Sequence, residues 1–396
     1  MQYCDETYEN AIIIPTTNVY TERAYYGGCI YDHDKNIINS SLRGPINCVK
    51  FIGSKNDLSK IDINNINIVY NDAIYLGYFS YHYGHFLIET LGRMKYILDN
   101  NIEDLILVFN RWFRFEEIDK YNETLEYNSI FLTLLINIFN LSYNKIIIVN
   151  KPTKFKKITI PKQNAYINHS INDEQHIIYK YIINQIKNTY IDQIITTYKR
   201  LFLLRNDNRI KNEKDILEVF KNFGFVARFL QDNSLIDDIY TINKAEIIAG
   251  IEGTALHNCI FMEPSKHVIS INSSNRFLSK NQQILCDLSR TKVYEILYKG
   301  INDNIDIEYL KNTVSKILIS IDNSVVSIKQ CTYGGIDVSD IIKNNIKNNY
   351  LNLFGNFNEY FGDPQPNIVK YLHIMLKNGN TLSYQEGENV LLNVSD

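Results

Sequence analysis

The sequence predicts an α/β protein made of two α/β domains. Three observations carry this expectation. The chain has 396 residues, 45% of them hydrophobic, which is enough for two separate cores. Strand-like and helix-like segments alternate through both halves. Between Leu201 and Ile271 the alternation becomes regular with short loops, the pattern of a doubly wound domain.

In the first half, Ala11–Ile14, Ile66–Tyr70, Leu105–Phe109 and Ile146–Val149 read as strands. His85–Leu98, Glu126–Phe139 and Glu174–Lys187 read as helices. In the second half, Leu201–Leu204 is a short apolar strand. Asn212 then caps a helix through Lys221, with Ile216, Leu217 and Phe220 on one stripe. Gly224 stands where that helix should stop. Phe225–Leu230, Glu246–Gly250 and His267–Ile271 follow as strands, separated by helices at Leu235–Ala245 and Thr254–Met262. A boundary near residues 188–198 gives domains at 1–190 and 191–327. Residues 328–396 contain Gly334-Gly335, Pro364 and Pro366 and have weak periodicity. They read as an appended segment or as a return helix packing on the first domain.

Several function classes are excluded early. A formal charge of −3 gives no strong pull toward nucleic acid or an anionic membrane. The start, Met1-Gln2-Tyr3-Cys4-Asp5-Glu6, is polar and acidic and unlike a secretory signal. No apolar run approaches the ~20 residues of a spanning helix. The expectation is a soluble, cytoplasmic protein with at most a peripheral place at a membrane. Six scattered cysteines form no CxxC pair, so neither a redox motif nor a zinc knuckle is supported. No Walker A, G-x-G-x-x-G or G-x-S-x-G sequence occurs. Asp32-His33-Asp34 mimics a metal-holding Asp-x-Asp but has no phosphate cradle beside it, and reads as a turn.

Three constellations have chemical content. The first is Glu246 to Asn258, where a strand runs straight into a helix through Gly250, Glu252, Gly253 and Thr254, with His257 just inside. Unpaired amides and a positive dipole end at a helix start suit a diphosphate. Thr254 could donate to phosphate and Glu252 could accept from ribose hydroxyls. The same residues also make a plain strand–helix turn with Thr254 as its cap. The second is Arg205, directly after an apolar strand, with Arg209 four residues on. Two guanidiniums there suit phosphate oxygens; the alternative is a solvated basic loop. The third is Tyr81 to Met94. On one helix, Leu87, Leu91, Met94 and Leu98 form an apolar stripe, and His85, Glu89 and Arg93 line the other face one turn apart. His85 and Glu89 can each take a proton from a hydroxyl. On spacing alone, an exposed charge ladder is the simpler reading.

Taken in order, these motifs resemble glycosyltransferase family 61. The matching pieces are Gly27-Gly28-Cys29-Ile30-Tyr31-Asp32, His82-Tyr83-Gly84-His85-Phe86-Leu87-Ile88-Glu89, Arg205 to Glu213, and Gly250 to Phe261, covering about residues 25–275. Many members of the family read Gly-x-His-Gly-Ala where this chain has Gly250-Ile251-Glu252-Gly253-Thr254, and Leu-Pro-Arg where it has Leu91-Gly92-Arg93. The resemblance implies a GT-B fold, two Rossmann-like domains facing across a cleft. It implies inverting transfer from a nucleotide sugar, commonly a UDP-sugar, to a glycan or glycoconjugate, with no metal and no further cofactor. On that reading Glu89 and His85 are the catalytic candidates, and Arg205, Arg209, Glu252, Gly253, Thr254 and His257 hold the donor. Competing readings are a non-catalytic glycan-binding protein that kept the fold, and a glycoside hydrolase using Glu89 with Glu252.

Overall fold

The computed structural model describes residues 4–15, 17–21, 24–26, 28–42, 58, 61–62, 65–80, 83–100, 102, 105–111, 125–166, 170–190, 197–205, 210–230, 234–273, 278–298, 304–322, 325–347 and 349–395. The chain divides into two compact units. The first comprises Met1–Leu204, Arg228–Val268 and Leu278–Val293; the second comprises Arg205–Ala227, Ile269–Phe277 and Tyr294–Asp396.

A seven-stranded mixed sheet organises the first half of the chain. Its strands are β1 (Glu6–Ile13), β2 (Ile30–Tyr31), β3 (Asn67–Val69), β4 (Ala73–Phe79), β5 (Ile106–Arg111), β6 (Ile146–Val149) and β7 (Thr153–Ile160). The order is β2-β1-β7-β4-β5-β6, with β3 beside β7. β7, β4, β5 and β6 run parallel, while β1 pairs antiparallel with β7 and β2. Every residue of the central β4 is buried, as a strand covered on both faces requires. A second sheet takes the order β9-β8-β10-β11-β12, where β8 is Arg200–Leu204, β9 Val226–Phe229, β10 Ile247–Ile251, β11 His267–Ser273 and β12 Lys292–Tyr298. β8 and β10 are parallel, with Leu203 opposite Gly250. Within the first unit a single core cluster takes residues from both sheets, including Leu76 and Phe79 of β4 and Leu201 and Leu203 of β8.

The segment read as one helix over His85–Leu98 is three short pieces. They are α1 (Tyr83–Ile88), a 3-10 turn (Thr90–Arg93) and α2 (Lys95–Asp99). Carbonyls that a continuous helix would keep for itself are engaged by other elements. Tyr179 Oη donates to Leu87 O (2.8 Å), Gln175 Nε2 to Leu91 O (3.1 Å) and the Asn164 amide to Gly92 O (2.8 Å). The Thr90 hydroxyl donates to Tyr78 O and accepts from the Ser80 amide, tying the 3-10 turn to the end of β4.

Arg93 does not sit on an exposed ladder. It is 1% exposed. Its guanidinium donates to the carbonyls of Pro161 and Ser40 and to Gln163 Oε1, and lies 5.5 Å from the Tyr75 ring centroid. Burial pulls this guanidinium below its usual range. Arg93 therefore joins three segments far apart in sequence.

In the second unit, α3 (Glu213–Asn222) begins after Asn212, but the Asn212 side chain makes no cap bond. It bonds the backbone of Ile305 instead, through both Nδ2 and Oδ1. The tail is not a return helix. It forms a seven-stranded sheet of β13 (Val325–Tyr333), β14 (Ile336–Asp337), β15 (Ile346–Lys347), β16 (Tyr350–Leu353), β17 (Tyr371–Leu376), β18 (Thr381–Gln385) and β19 (Val390–Ser395). The order is β15-β16-β19-β13-β17-β18, with β14 beside β13. Its inward side chains, among them Leu372, Ile374, Leu382 and Leu392, form their own core. No helix among the described residues is long and apolar enough to cross a membrane.

Arg93→Met keeps side-chain bulk but leaves the Ser40 and Pro161 carbonyls without their donor. It should lower unfolding stability by about 2–4 kcal/mol. Urea unfolding of the full chain checks this, and an unchanged midpoint would refute the role given to Arg93.

Candidate functional site

The site is assembled where α1 meets the turn after β10, both inside the first unit. β4 delivers the chain to α1, and Tyr81 and His82 between them lie outside the described residues. Aromatic packing fixes α1: Phe86 stacks on Phe131 at 4.4 Å and 13°, and Phe79 meets Phe86 edge-on at 6.3 Å.

His85 and Glu89 are one helical turn apart, and their side chains meet. His85 Nδ1 lies 2.5 Å from Glu89 Oε2. The His85 side chain is 15% exposed and that of Glu89 is 3% exposed. The pair is thus a largely buried dyad and not a solvated ladder. An ionised carboxylate can only accept, so with Glu89 ionised Nδ1 carries the hydrogen and Nε2 is the basic nitrogen.

The partner turn follows β10. Gly253 has φ 147°, a conformation that favours glycine. The helix expected over Thr254–Met262 is a shorter 3-10 helix, Leu256–Phe261. Its backbone bonds span three residues, from Leu256 to Gly253, His257 to Thr254 and Asn258 to Ala255. Such a short helix has a weaker dipole than the α-helix expected, so the case for anion binding rests on the amides of the turn itself. His257 is 6% exposed and Asn258 is fully buried.

Two contacts hold α1 to this turn. A Cβ added at Gly84 would lie 2.7 Å from Thr254 Cγ2 and 3.1 Å from His257 Nδ1, so only glycine permits the approach. One residue before, Tyr83 Oη donates to Asn258 Oδ1 at 2.5 Å. Asn258 Nδ2 donates to Ala255 O, which fixes the amide so that its oxygen faces Tyr83. Burial pushes the Tyr83 hydroxyl well above the usual phenol range, and the nearby Asp238 carboxylate adds to the shift. Tyr83 therefore remains a protonated donor. Asp238 is itself paired with Arg228, whose Nε lies 2.7 Å from Oδ1.

The structure thus joins His85 to Glu89, and sets Gly84, the residue before His85, against Thr254 and His257, with Glu252 and Gly253 in the same turn. Arg205 directly follows β8 and belongs to the second unit. Arg209 lies outside the described residues. Asp32 forms a turn, accepting from the Asn36 amide at 2.8 Å. Among the described residues no group of three or more His, Cys, Asp and Glu could hold a metal ion. In the sequence Tyr83 and Gly84 stand only as parts of a motif. The signal for Tyr83 was a polar aromatic at a helix start, which has no meaning until Asn258 is placed opposite it.

Gly84→Ala should destabilise the protein by about 1–3 kcal/mol through overpacking. Thr254→Ser removes the methyl group that the new Cβ would strike, and should recover part of that loss when combined with Gly84→Ala. Thermal unfolding of the single and double variants measures the coupling. Strict additivity would show that the contact is not the cause.

No curated protein matches this chain. Residues 83–269, which begin at Tyr83 of α1 and include the whole turn from Glu252 to Asn258, match the family model described as Glycosyltransferase 61. Over that stretch, a little under half of the chain, the sequence is similar to that family.

Proposed function

We propose that this protein is an inverting glycosyltransferase. On this reading it moves a sugar from a nucleotide donor, a UDP-sugar, to a hydroxyl of a glycan or glycoconjugate without a metal ion. The setting is cytoplasmic synthesis of a surface polysaccharide such as a capsule, on a GT-B arrangement of two Rossmann-like domains facing across a cleft. The observation that carries the reading is the buried His85–Glu89 hydrogen bond, inside the family match and on the short helix whose Gly84 packs against Thr254 and His257.

In this mechanism the acceptor oxygen attacks C1 of the sugar. The bond from C1 to the diphosphate breaks, and the nucleoside diphosphate leaves. His85 is the more exposed member of the pair, so its Nε2 takes the acceptor proton. Glu89 holds the ring and stabilises the imidazolium that forms. Glu252 accepts from the ribose hydroxyls. The amides of Gly253 and Thr254, with the Thr254 hydroxyl, receive the diphosphate. Arg205 and Arg209 balance the charge gathered on it, and His257 borders the turn on the side of Gly84.

Incubation with a panel of nucleotide sugars, with and without EDTA, should release nucleotide in both conditions. Binding or release lost in chelator would remove the metal-free step. Glu89→Gln and His85→Ala should each lower transfer by roughly 10²–10⁴-fold with UDP affinity unchanged. The double variant should lose little more than the worse single one, as residues acting as a unit do. Arg205→Ala should weaken UDP binding as well as turnover. Near-normal transfer by Glu89→Gln would dismiss the dyad.

A further inference from the structure

The sheet of the second unit has an outward face that the transfer site does not use. β17 alternates strictly, with Leu372, Ile374 and Leu376 buried and Tyr371, His373 and Met375 exposed. The Tyr371 and His373 rings stack at 6.1 Å and 18°. His373 Nδ1 lies 2.8 Å from Ser383 Oγ, which holds the imidazole in place. Residues directly opposite in antiparallel strands share a face. Across β18, Gln385 and Ser383 stand opposite Tyr371 and His373. Across β13, Thr332 and Gln330 stand opposite His373 and Met375. A row of aromatic and thioether side chains is thus flanked on both sides by amides and hydroxyls. The row spans about 14 Å, long enough for a short oligosaccharide.

Gln330 also lines a hollow of about 510 Å³, together with Lys329, Asp337, Ser339, Asp340 and Lys343. Gln330 Nε2 donates to Asp337 Oδ2 at 3.0 Å. Hydrogen bonds from Ser339 hold the Asp337 carboxyl below its usual range, so it is an ionised acceptor on the far side of β13 from the row, opposite Thr332.

We propose that this face binds a neutral glycan chain, the acceptor or product of the transfer reaction, and so holds the polymer on the enzyme. Sugar rings present apolar C–H faces to stacked aromatic rings and rims of hydroxyls to flanking amides and hydroxyls. The seven outward residues of the three strands include no Lys or Arg, and in the adjoining hollow Lys329 and Lys343 are matched by Asp337 and Asp340. That composition fits an uncharged polyol and is unsuited to nucleic acid or an anionic lipid surface. The identity of the glycan as acceptor rests on the transferase reading; the binding itself does not.

The test is affinity electrophoresis of the full chain through gels containing neutral polysaccharides: α-glucan, β-glucan, galactan and mannan. Calorimetry with oligosaccharides of the retarding type follows. At least one neutral glycan should retard the protein. The double variant Tyr371→Ala/His373→Ala should bind it roughly tenfold or more weakly, while Tyr371→Phe, which keeps the ring, should stay close to the parent. Both positions are exposed, and thermal unfolding should be unchanged. The proposal is overturned if no neutral glycan binds, or if the double variant binds as well as the parent. It is also overturned if the face instead mediates capture by anionic vesicles or self-association that Tyr371→Ala abolishes. Nucleotide release is measured separately. A protein that binds glycan but turns over no nucleotide sugar would refute the transferase reading and leave this one standing.

Discussion

Much of the first unit depends on how closely α1 approaches the turn after β10. The missing Cβ of Gly84 sets that distance, and the Tyr83–Asn258 hydrogen bond sets the angle. Neither contact is itself chemical. Their effect is that His85 is carried by an element whose neighbouring residues are already locked against Thr254 and His257. A dyad on a free surface helix would sample many rotamers, and its hydrogen bond would compete with water. Here the Glu89 carboxylate is enclosed and meets the imidazole at a fixed distance, which is the preorganisation that proton transfer needs.

The same region shows how tertiary bonds override local preference. Leu87, Leu91 and Met94 have helical spacing and are all fully buried, so the apolar pattern was read correctly. The helix still breaks, because Tyr179, Gln175 and Asn164 engage carbonyls along it. Those donors come from residues some 70 to 90 positions away, as the 84-residue separation of Gln175 from Leu91 illustrates. Nothing in a local window announces them. Arg93 is the companion case. A long cation at i+4 from an acid suggests a surface ladder. Only the folded chain reveals carbonyls of Ser40 and Pro161 converging on it.

What was legible in the sequence follows a physical divide. β6 matches Ile146–Val149 residue for residue, and β8, β10 and α4 (Leu235–Lys244) fall within one or two positions of their expected ends. These are short elements with clear apolar runs and real caps, such as Ser234 accepting from the Asp237 amide. The most buried strand, β4, escaped notice because Ala73–Phe79 mixes Ala, Gly and two tyrosines and shows no alternation. The tail sheet escaped for a different reason. Its alternation is present in β17 and β18, but Gly, Pro and Asn between the strands masked it as weak periodicity. At the candidate site, residue types and spacing pointed to His85 and Glu89 as partners. Their burial and the glycine-dependent contact with Thr254 could not be read from spacing.

The discontinuity of the two units has a consequence for synthesis of the chain. The first unit closes only when Leu278–Val293 is in place, and the second opens with Arg205–Ala227. Neither can be completed while the other is still absent from the nascent chain. The N-terminal sheet, whose last strand ends at Ile160, must therefore wait, partly assembled, through the emergence of about 130 further residues, since its unit runs on to Val293. At typical elongation rates of about 5–20 residues per second, that is an interval of several seconds with apolar surface uncovered. Separating the units by a single cut in the gene would leave both halves incomplete.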